Sequence, residues 1–240
     1  MNKFFFLIVL IWSCEPRLSR YNYPVPTLQS AFRFVVSKKV EQHKTNGTYK
    51  FLYIGKYADT LHIDHFLHAY IPPVIRNEDG SIKKQYTTLN SLKLHSEKFY
   101  PRDTFPRKPK LSIFVDTTQL IDNIFYNIGY KAYPVMIMNI GTGNASICLG
   151  EEIPLFLEAK DSLGNWWPIE DPFFYFCGVG LESVVLPPKE IAITSIPVYD
   201  GNYNTKLRLR FGHRISNEFF GRINYSQIEK RLRFNNYGSY

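Results

Sequence analysis

The sequence predicts a mainly β protein whose larger part is an antiparallel β-sandwich. The 240 residues include 17 Tyr and 19 Phe, and aromatic side chains favour strands. Glycine and proline recur along the whole chain and interrupt long helical patterns. After residue 130, short apolar segments follow one another at a spacing of about 10 residues, with turn residues between them. Together these features favour a sandwich over a helical or α/β fold.

The strand pattern is strongest in the second half of the chain. Turn residues at 141–144 and 161–165 separate neighbouring apolar segments there. The predicted strands lie at 111–115, 133–140, 153–158, 166–169, 173–177, 184–186, 191–198 and 207–211. Residues 117–128 fit a short helix or a strand equally well, because Leu120, Ile124 and Ile128 repeat at intervals of four.

The first half carries weaker strand signals. Apolar and polar residues alternate over 30–40, 49–53 and 60–64, as expected for strands with one face in solvent. The segment 77–80 reads Asn-Glu-Asp-Gly, and Asp-Gly tolerates the positive φ angles of a tight hairpin turn.

Composition divides the chain into five segments. Prolines at 101, 106 and 109 mark the main connection, and whether the region before it is a separate domain stays open. The predicted segments are a signal peptide (1–13), a lipidated tether (14–29), a smaller β-rich region (30–108), an immunoglobulin-like (Ig-like) sandwich (109–234) and a tail (235–240).

The leader is the most specific signal in the sequence. Lys3 precedes an apolar run, Phe4–Trp12, which has the length of a signal-peptide core and is too short to span a bilayer. The run leads into Ile-Trp-Ser-Cys, which resembles the lipobox of bacterial lipoproteins. That resemblance implies cleavage before Cys14 and acylation of its thiol and amine, which would anchor the chain in a membrane. The alternative is an ordinary secretory signal followed by an unrelated cysteine.

Residues 131–224 resemble the Ig-like and fibronectin-like sandwiches of cell-envelope proteins. The motifs that carry this resemblance are Tyr-Pro-Val at 133–135, Leu-Pro-Pro-Lys-Glu at 186–190, Pro-Val-Tyr-Asp-Gly at 197–201, Leu-Arg-Leu-Arg at 207–210 and Ile-Ser-Asn at 215–217. With the lipobox, the chain is similar to uncharacterised Bacteroidota lipoproteins. The resemblance implies a fold class and a place in the cell envelope, and it assigns no activity. No acidic surface-export tag follows Cys14, which favours an outer-membrane anchor facing the periplasm.

Two further cysteines remain after Cys14. In an oxidising compartment Cys148 and Cys177 are candidates for a disulfide, and the alternative is that both are small buried hydrophobes.

His62, Asp64 and His68 form a candidate metal site, because a strand would project all three from one face. The segment 60–65 partly resembles the metal motif of metallo-β-lactamase-type hydrolases, although Thr60 stands where that motif has its first histidine. The favoured interpretation is the solvated side of an amphipathic strand, with no metal and no cofactor.

Two other pairs are candidates for ligand binding or catalysis. Trp166 and Trp167 offer flat rings for a glycan or peptide, and strand alternation places one inward and one outward. Glu158 and Glu170 flank the 161–165 turn, so a glycosidase-like carboxylate pair is a weak alternative to solvent-exposed acids.

The remaining features argue against enzymes and against nucleic-acid binding. The sequence has no Gly-x-Ser-x-Gly nucleophile motif and no phosphate-binding loop. The formal net charge is +8, yet its cations are scattered and the stretch 111–205 is acidic. We therefore expect a non-catalytic envelope lipoprotein, held by its lipid and binding another envelope protein. Glycan or peptide binding is the alternative, and a metal-dependent hydrolase is less favoured.

Overall fold

A computed structural model describes residues 23–30, 49–63, 75–76, 82–84, 110–125, 128–149, 152–170 and 183–229. Over these residues the protein is mainly β, with several antiparallel sheets that pack as a sandwich, as the sequence predicts. Within the same residues, no helix combines the length and the apolar character needed to cross a membrane.

The central sheet has five strands. Its middle consists of β9 (Ile128–Asn139) and β15 (Glu190–Pro197), which pair antiparallel over seven residues from Ile191 opposite Met138 to Pro197 opposite Ala132. Its members are β3 (Tyr53–Lys56), β7 (Leu111–Val115), β8 (Ile121–Phe125), β9 (Ile128–Asn139) and β15 (Glu190–Pro197).

Two further sheets form the layer that packs against one face of the central sheet. The second sheet contains β2 (Tyr49–Lys50), β10 (Ala145–Leu149), β11 (Glu152–Ile153) and β14 (Ser183–Leu186). The outer sheet contains β12 (Phe156–Lys160), β13 (Trp166–Pro168), β16 (Tyr203–Phe211), β17 (Arg214–Ile215) and β18 (Phe219–Ile223).

The central sheet is buried on both faces. Val135 and Ile137 of β9 pack in one core cluster with residues of the second and outer sheets. The alternate residues Met136 and Met138 pack in a second cluster, which includes Leu61. Successive side chains of a strand point to opposite faces, so a strand covered on both sides reads as a continuous apolar run. This is the physical reason for the unbroken run Val135–Met138.

The described strands β2 and β3 of the N-terminal region pair with strands of the sandwich. β2 pairs with β11 in the second sheet, and β3 pairs with β15 in the central sheet. β1 (Thr27–Ser30) and β4 (Thr60–Ile63) pair in parallel, and Leu61 and Ile63 pack against the second face of the central sheet. β1 thus lies partly inside the segment 14–29 that the sequence assigns to a tether. The strand predicted over 30–40 lies outside the described residues from 31 onward.

Residues 117–128 form no helix over the part that is described. β8 is a strand that pairs with β9, and Leu120, which the helical pattern places on the apolar face, is 58% exposed. The helical residues of the described chain are 226–229. β5 (Ile75–Arg76) and β6 (Ile82–Lys84) pair antiparallel, as the hairpin predicted at 77–80 requires, and the turn itself lies outside the described residues.

The turn predicted at 141–144 does not close a hairpin within one sheet. It carries the chain from β9 in the central sheet to β10 in the second sheet. The buried amide of Asn139 supports it: Nδ2 donates to the carbonyls of Gly143 and Leu186, and Oδ1 accepts from the N–H of Gly141. A buried amide with these partners has its polar groups satisfied, so it fixes the crossing without a desolvation penalty.

Candidate functional site on the open face of the outer sheet

The outer sheet buries one face and leaves the other open. Leu207 and Leu209 of β16 belong to the core, whereas Arg208 and Arg210 project from the opposite side. β12 follows the same rule, since Leu157 is in the core and Glu158 is directed toward the two arginines. Alternation therefore brings the charged side chains of two adjacent strands together on one surface.

Glu158 lies between the two guanidinium groups. The Nε of Arg208 donates to one carboxylate oxygen at 2.8 Å, and the Nε of Arg210 donates to the other oxygen. Strand register produces this contact, because Glu158 stands directly opposite Arg208. Glu158 is only 4% exposed, so a buried carboxylate with two charge-assisted hydrogen bonds fixes both arginines.

Aromatic rings support the same arginines. The guanidinium of Arg208 lies 4.0 Å from the ring centroid of Trp166, and that of Arg210 lies 5.1 Å from the centroid of Phe156. The ammonium of Lys160 lies 5.7 Å from the Trp166 centroid. These are cation–π distances, and they add to the ion pairs in holding the cations in place.

Trp167 faces the interior, as alternation predicts for one member of the Trp pair. It packs against the main core cluster, and its Nε1 donates to Asp161 Oδ2 at 2.8 Å. Asp161 also accepts N–H groups from Leu163 and Asn165, which closes the predicted 161–165 turn. Desolvation opposes ionisation of Asp161, but these hydrogen bonds outweigh it and hold the pKa of the carboxyl below its ordinary value. Both tryptophans are partly buried, so neither is a bare platform.

A cavity of 220 Å³ lies between β18 and the segment that follows β15. Tyr133, Tyr199 and Phe219 contribute aromatic walls, and Arg222 lies at the rim in an ion pair with Asp200 at 3.0 Å. Sequence reasoning missed this cavity because its walls come from three distant segments. A local signal is Phe220, a large apolar residue that is 67% exposed beside the buried Phe219 in β18.

Glu170 does not pair with Glu158. Its carboxyl is buried and accepts hydrogen bonds from the hydroxyls of Tyr49 and Tyr199, whereas the carboxylate of Glu158 forms ion pairs with Arg208 and Arg210. The glycosidase-like pair suggested by the sequence is therefore wrong, and so is the alternative that both acids are solvent-exposed. Burial raises the pKa of Glu170 to about 7, although the two tyrosine hydrogen bonds act in the opposite direction.

The predicted metal and disulfide residues fall mostly outside the described chain. His62 is exposed on β4, and Asp64 and His68 lie beyond the described residues. The described part holds no group of three His, Cys, Asp or Glu side chains arranged for a metal ion. Cys148 lies in β10, but its side chain and all of Cys177 are outside what is described, as is Cys14.

Comparison with known protein families, with curated proteins and with solved structures gave no match for this chain. The fold alone defines its class, which is an antiparallel β-sandwich protein. A more specific assignment must be argued from the side chains on the outer sheet and from the sequence motifs.

Proposed function

We propose that this chain is a non-catalytic cell-envelope lipoprotein that binds another envelope protein. Lipid on Cys14 holds it in the outer membrane, facing the periplasm, and the β-sandwich serves as the interaction module. The lipobox-like Ile-Trp-Ser-Cys sequence supports the anchor. No catalytic residue is assigned, and binding proceeds through surface shape and strand pairing.

The observation that carries this proposal is the edge strand β18 beside the aromatic cavity. Within the described residues β18 pairs only with β16, so its other edge has no strand partner there. An extended segment can add to such an edge by main-chain hydrogen bonds, while a neighbouring pocket receives one of its side chains. The exposed Phe220 and the cavity lined by Tyr133 and Phe219 supply that combination.

Glycan or peptide binding at Trp166 is the second candidate function. The observation that favours it is the pair Arg208 and Arg210, held in fixed positions beside the Trp166 and Phe156 rings. A metal-dependent hydrolase has no support from the described residues and is not proposed.

The lipid anchor is tested with Cys14→Ser. In a bacterial host fed labelled palmitate, the unchanged chain should incorporate label and sediment with membranes, whereas Cys14→Ser should do neither. Cys148→Ser is the matched control and should keep the label. Labelling that survives Cys14→Ser, or an unprocessed amino terminus in the cytosolic fraction, contradicts the anchor.

The partner surface is tested by site-specific crosslinking. A photoreactive benzoylphenylalanine replaces Phe220 in the membrane-bound chain, and the same residue replaces Leu163 as a control, because Leu163 is 85% exposed and lies in the 161–165 turn rather than on β18. We expect a discrete protein crosslink from position 220 and none from position 163. The same products from both positions, or none from 220, would remove the edge strand as the binding surface.

A further inference from the structure

We propose that Arg208 and Arg210 form a binding site for the carboxylate groups of an acidic glycan. This inference rests on the second candidate function, glycan binding at Trp166, and specifies its ligand; the site lies on the sheet face rather than at the β18 edge. It rests on the geometry of the guanidinium groups, on their rigidity and on the local charge.

The geometry leaves hydrogen-bond donors available. Arg208 and Arg210 each contact Glu158 through Nε, and their Nη groups make no hydrogen bond to any other described residue. A guanidinium carries five N–H donors in a planar fork, and that fork matches the two oxygens of a carboxylate. The two residues are two positions apart on β16, so both forks lie on the same face of the sheet, one at each oxygen of Glu158.

The donors are fixed before any ligand arrives. The side chain of Arg208 is 14% exposed and that of Arg210 is 37% exposed, although arginine normally ranges freely in solvent. The shared carboxylate of Glu158 and the rings of Trp166 and Phe156 restrain them. Binding to restrained side chains loses less conformational entropy than binding to mobile ones, which is the gain of preorganisation.

The charge of this face selects an anion. Lys206 is neutralised by Glu218 at 2.9 Å. The remaining group consists of Lys160, Arg208 and Arg210 around the single carboxylate of Glu158, so two positive charges stay uncompensated within it. Charge complementarity therefore favours a ligand that brings carboxylates to the open side of the arginines.

A glycan fits this face better than a peptide strand. Arg208 and Arg210 belong to β16, which pairs with β12 on one side and with β17 and β18 on the other, so the arginines offer side-chain donors rather than a free main-chain edge. Sugar rings carry apolar C–H faces, and the partly exposed Trp166 projects apolar surface from the same side of the sheet. Carboxylated sugars combine that apolar surface with the anion that the arginines require.

The test is a calorimetric titration of the full chain in detergent. The probes are an oligogalacturonate, the neutral sugar maltohexaose and a polyglutamate peptide of similar charge. Arg210→Gln removes one fork at a partly exposed position, Arg210→Lys keeps the charge without the fork, and Lys131→Gln is the control. Lys131 has the same kind of exposed ion pair, but it lies on the central sheet.

We expect oligogalacturonate to bind and maltohexaose not to bind. Arg210→Gln should weaken the Kd by about tenfold or more, since a charge-assisted pair is lost, and Arg210→Lys should weaken it by several-fold. Lys131→Gln should leave it unchanged. Arg208→Gln is a second variant that should weaken binding in the same way, and circular dichroism confirms that each variant is folded.

Three outcomes overturn the proposal. If Lys131→Gln and Arg210→Gln weaken oligogalacturonate binding equally, the ligand is attracted by the net positive charge of the protein and not by the arginine site. Tighter binding of polyglutamate than of oligogalacturonate would make the site one for acidic peptides. Absence of binding by any probe would remove the site. None of these outcomes affects the crosslink expected from position 220, which should persist in Arg210→Gln. Failure of the glycan site can therefore be distinguished from failure of the β18 binding surface.

Discussion

The central and outer sheets differ in how many faces they bury, and the sequence of each strand reflects that difference. In β9, residues 135–138 are all fully buried. In β16, Leu207 and Leu209 are buried while Arg208 and Arg210 remain partly exposed. Strands covered on both sides contribute stability and can carry little chemistry, whereas a strand with one open face can hold charged groups in register.

The largest expected difference between the sheets is in core packing. Ile137→Ala opens a cavity in the central sheet where neighbours from two other sheets meet, and it should lower the free energy of unfolding by about 2–5 kcal/mol. Leu163→Ala, at an exposed turn, should change it by no more than about 0.5 kcal/mol. Urea unfolding measures both. Equal losses would contradict the two-sided burial of the central sheet.

The two glutamates sharpen the comparison through pH. Glu170 has a folded pKa of about 7, above its ordinary value of 4.5, so the folded state holds its proton more tightly than the unfolded state. Its contribution to stability is therefore complete below pH 4.5, falls as pH rises toward 7 and stays constant above that. The loss amounts to roughly 3 kcal/mol.

Glu170→Gln should remove this pH-dependent contribution. The parent chain should therefore lose unfolding free energy relative to the variant as the pH rises from 4.5 to 7. Chemical denaturation at a series of pH values measures it. Glu218→Gln is the control, because that carboxylate is partly exposed in an ion pair with Lys206 on the outer sheet. If the unfolding free energies of Glu170→Gln and of the parent chain change with pH in parallel, the carboxyl of Glu170 is not buried as described.

A smaller loss of stability than that from core truncation or from titration of Glu170 is expected for the ion pair of Lys206 and Glu218. Their side chains are 44% and 33% exposed, so solvent screens the attraction. Lys206→Ala should cost at most about 1 kcal/mol, and the cost should shrink with added salt. Urea unfolding at low and high salt checks this. A cost as large as that of Ile137→Ala would mean that the open face contributes to stability as much as the core does.

Local patterns predicted much of the fold. The sandwich class, the 161–165 turn and the opposite orientations of Trp166 and Trp167 all follow from two-residue alternation and turn chemistry, which are short-range properties. Residues 117–128 were ambiguous because Leu120 fell at a helical spacing by coincidence. Pairing with β9 decides the strand, and the cross-strand ion pair of Asp122 and Lys131 supports it.

The rest depends on contacts between distant residues. The sequence identified Trp166 and Glu158 separately, but their common partner Arg208 is 50 positions from Glu158 and becomes visible only through strand register. The two glutamates near the same turn have opposite surroundings for a similar reason. Glu170 meets Tyr49 and Tyr199, which lie 121 and 29 positions away, and no local pattern encodes that enclosure.

The short segment 49–56 also has a consequence for the order in which the molecule can assemble. It supplies β2 to one sheet and β3 to another. β3 cannot pair until β15 has been synthesised, more than a hundred residues later. During synthesis, this segment emerges long before its pairing partners exist. Closing so long a loop makes folding slow, and a chaperone that shields the early strands would shorten the period in which they can aggregate.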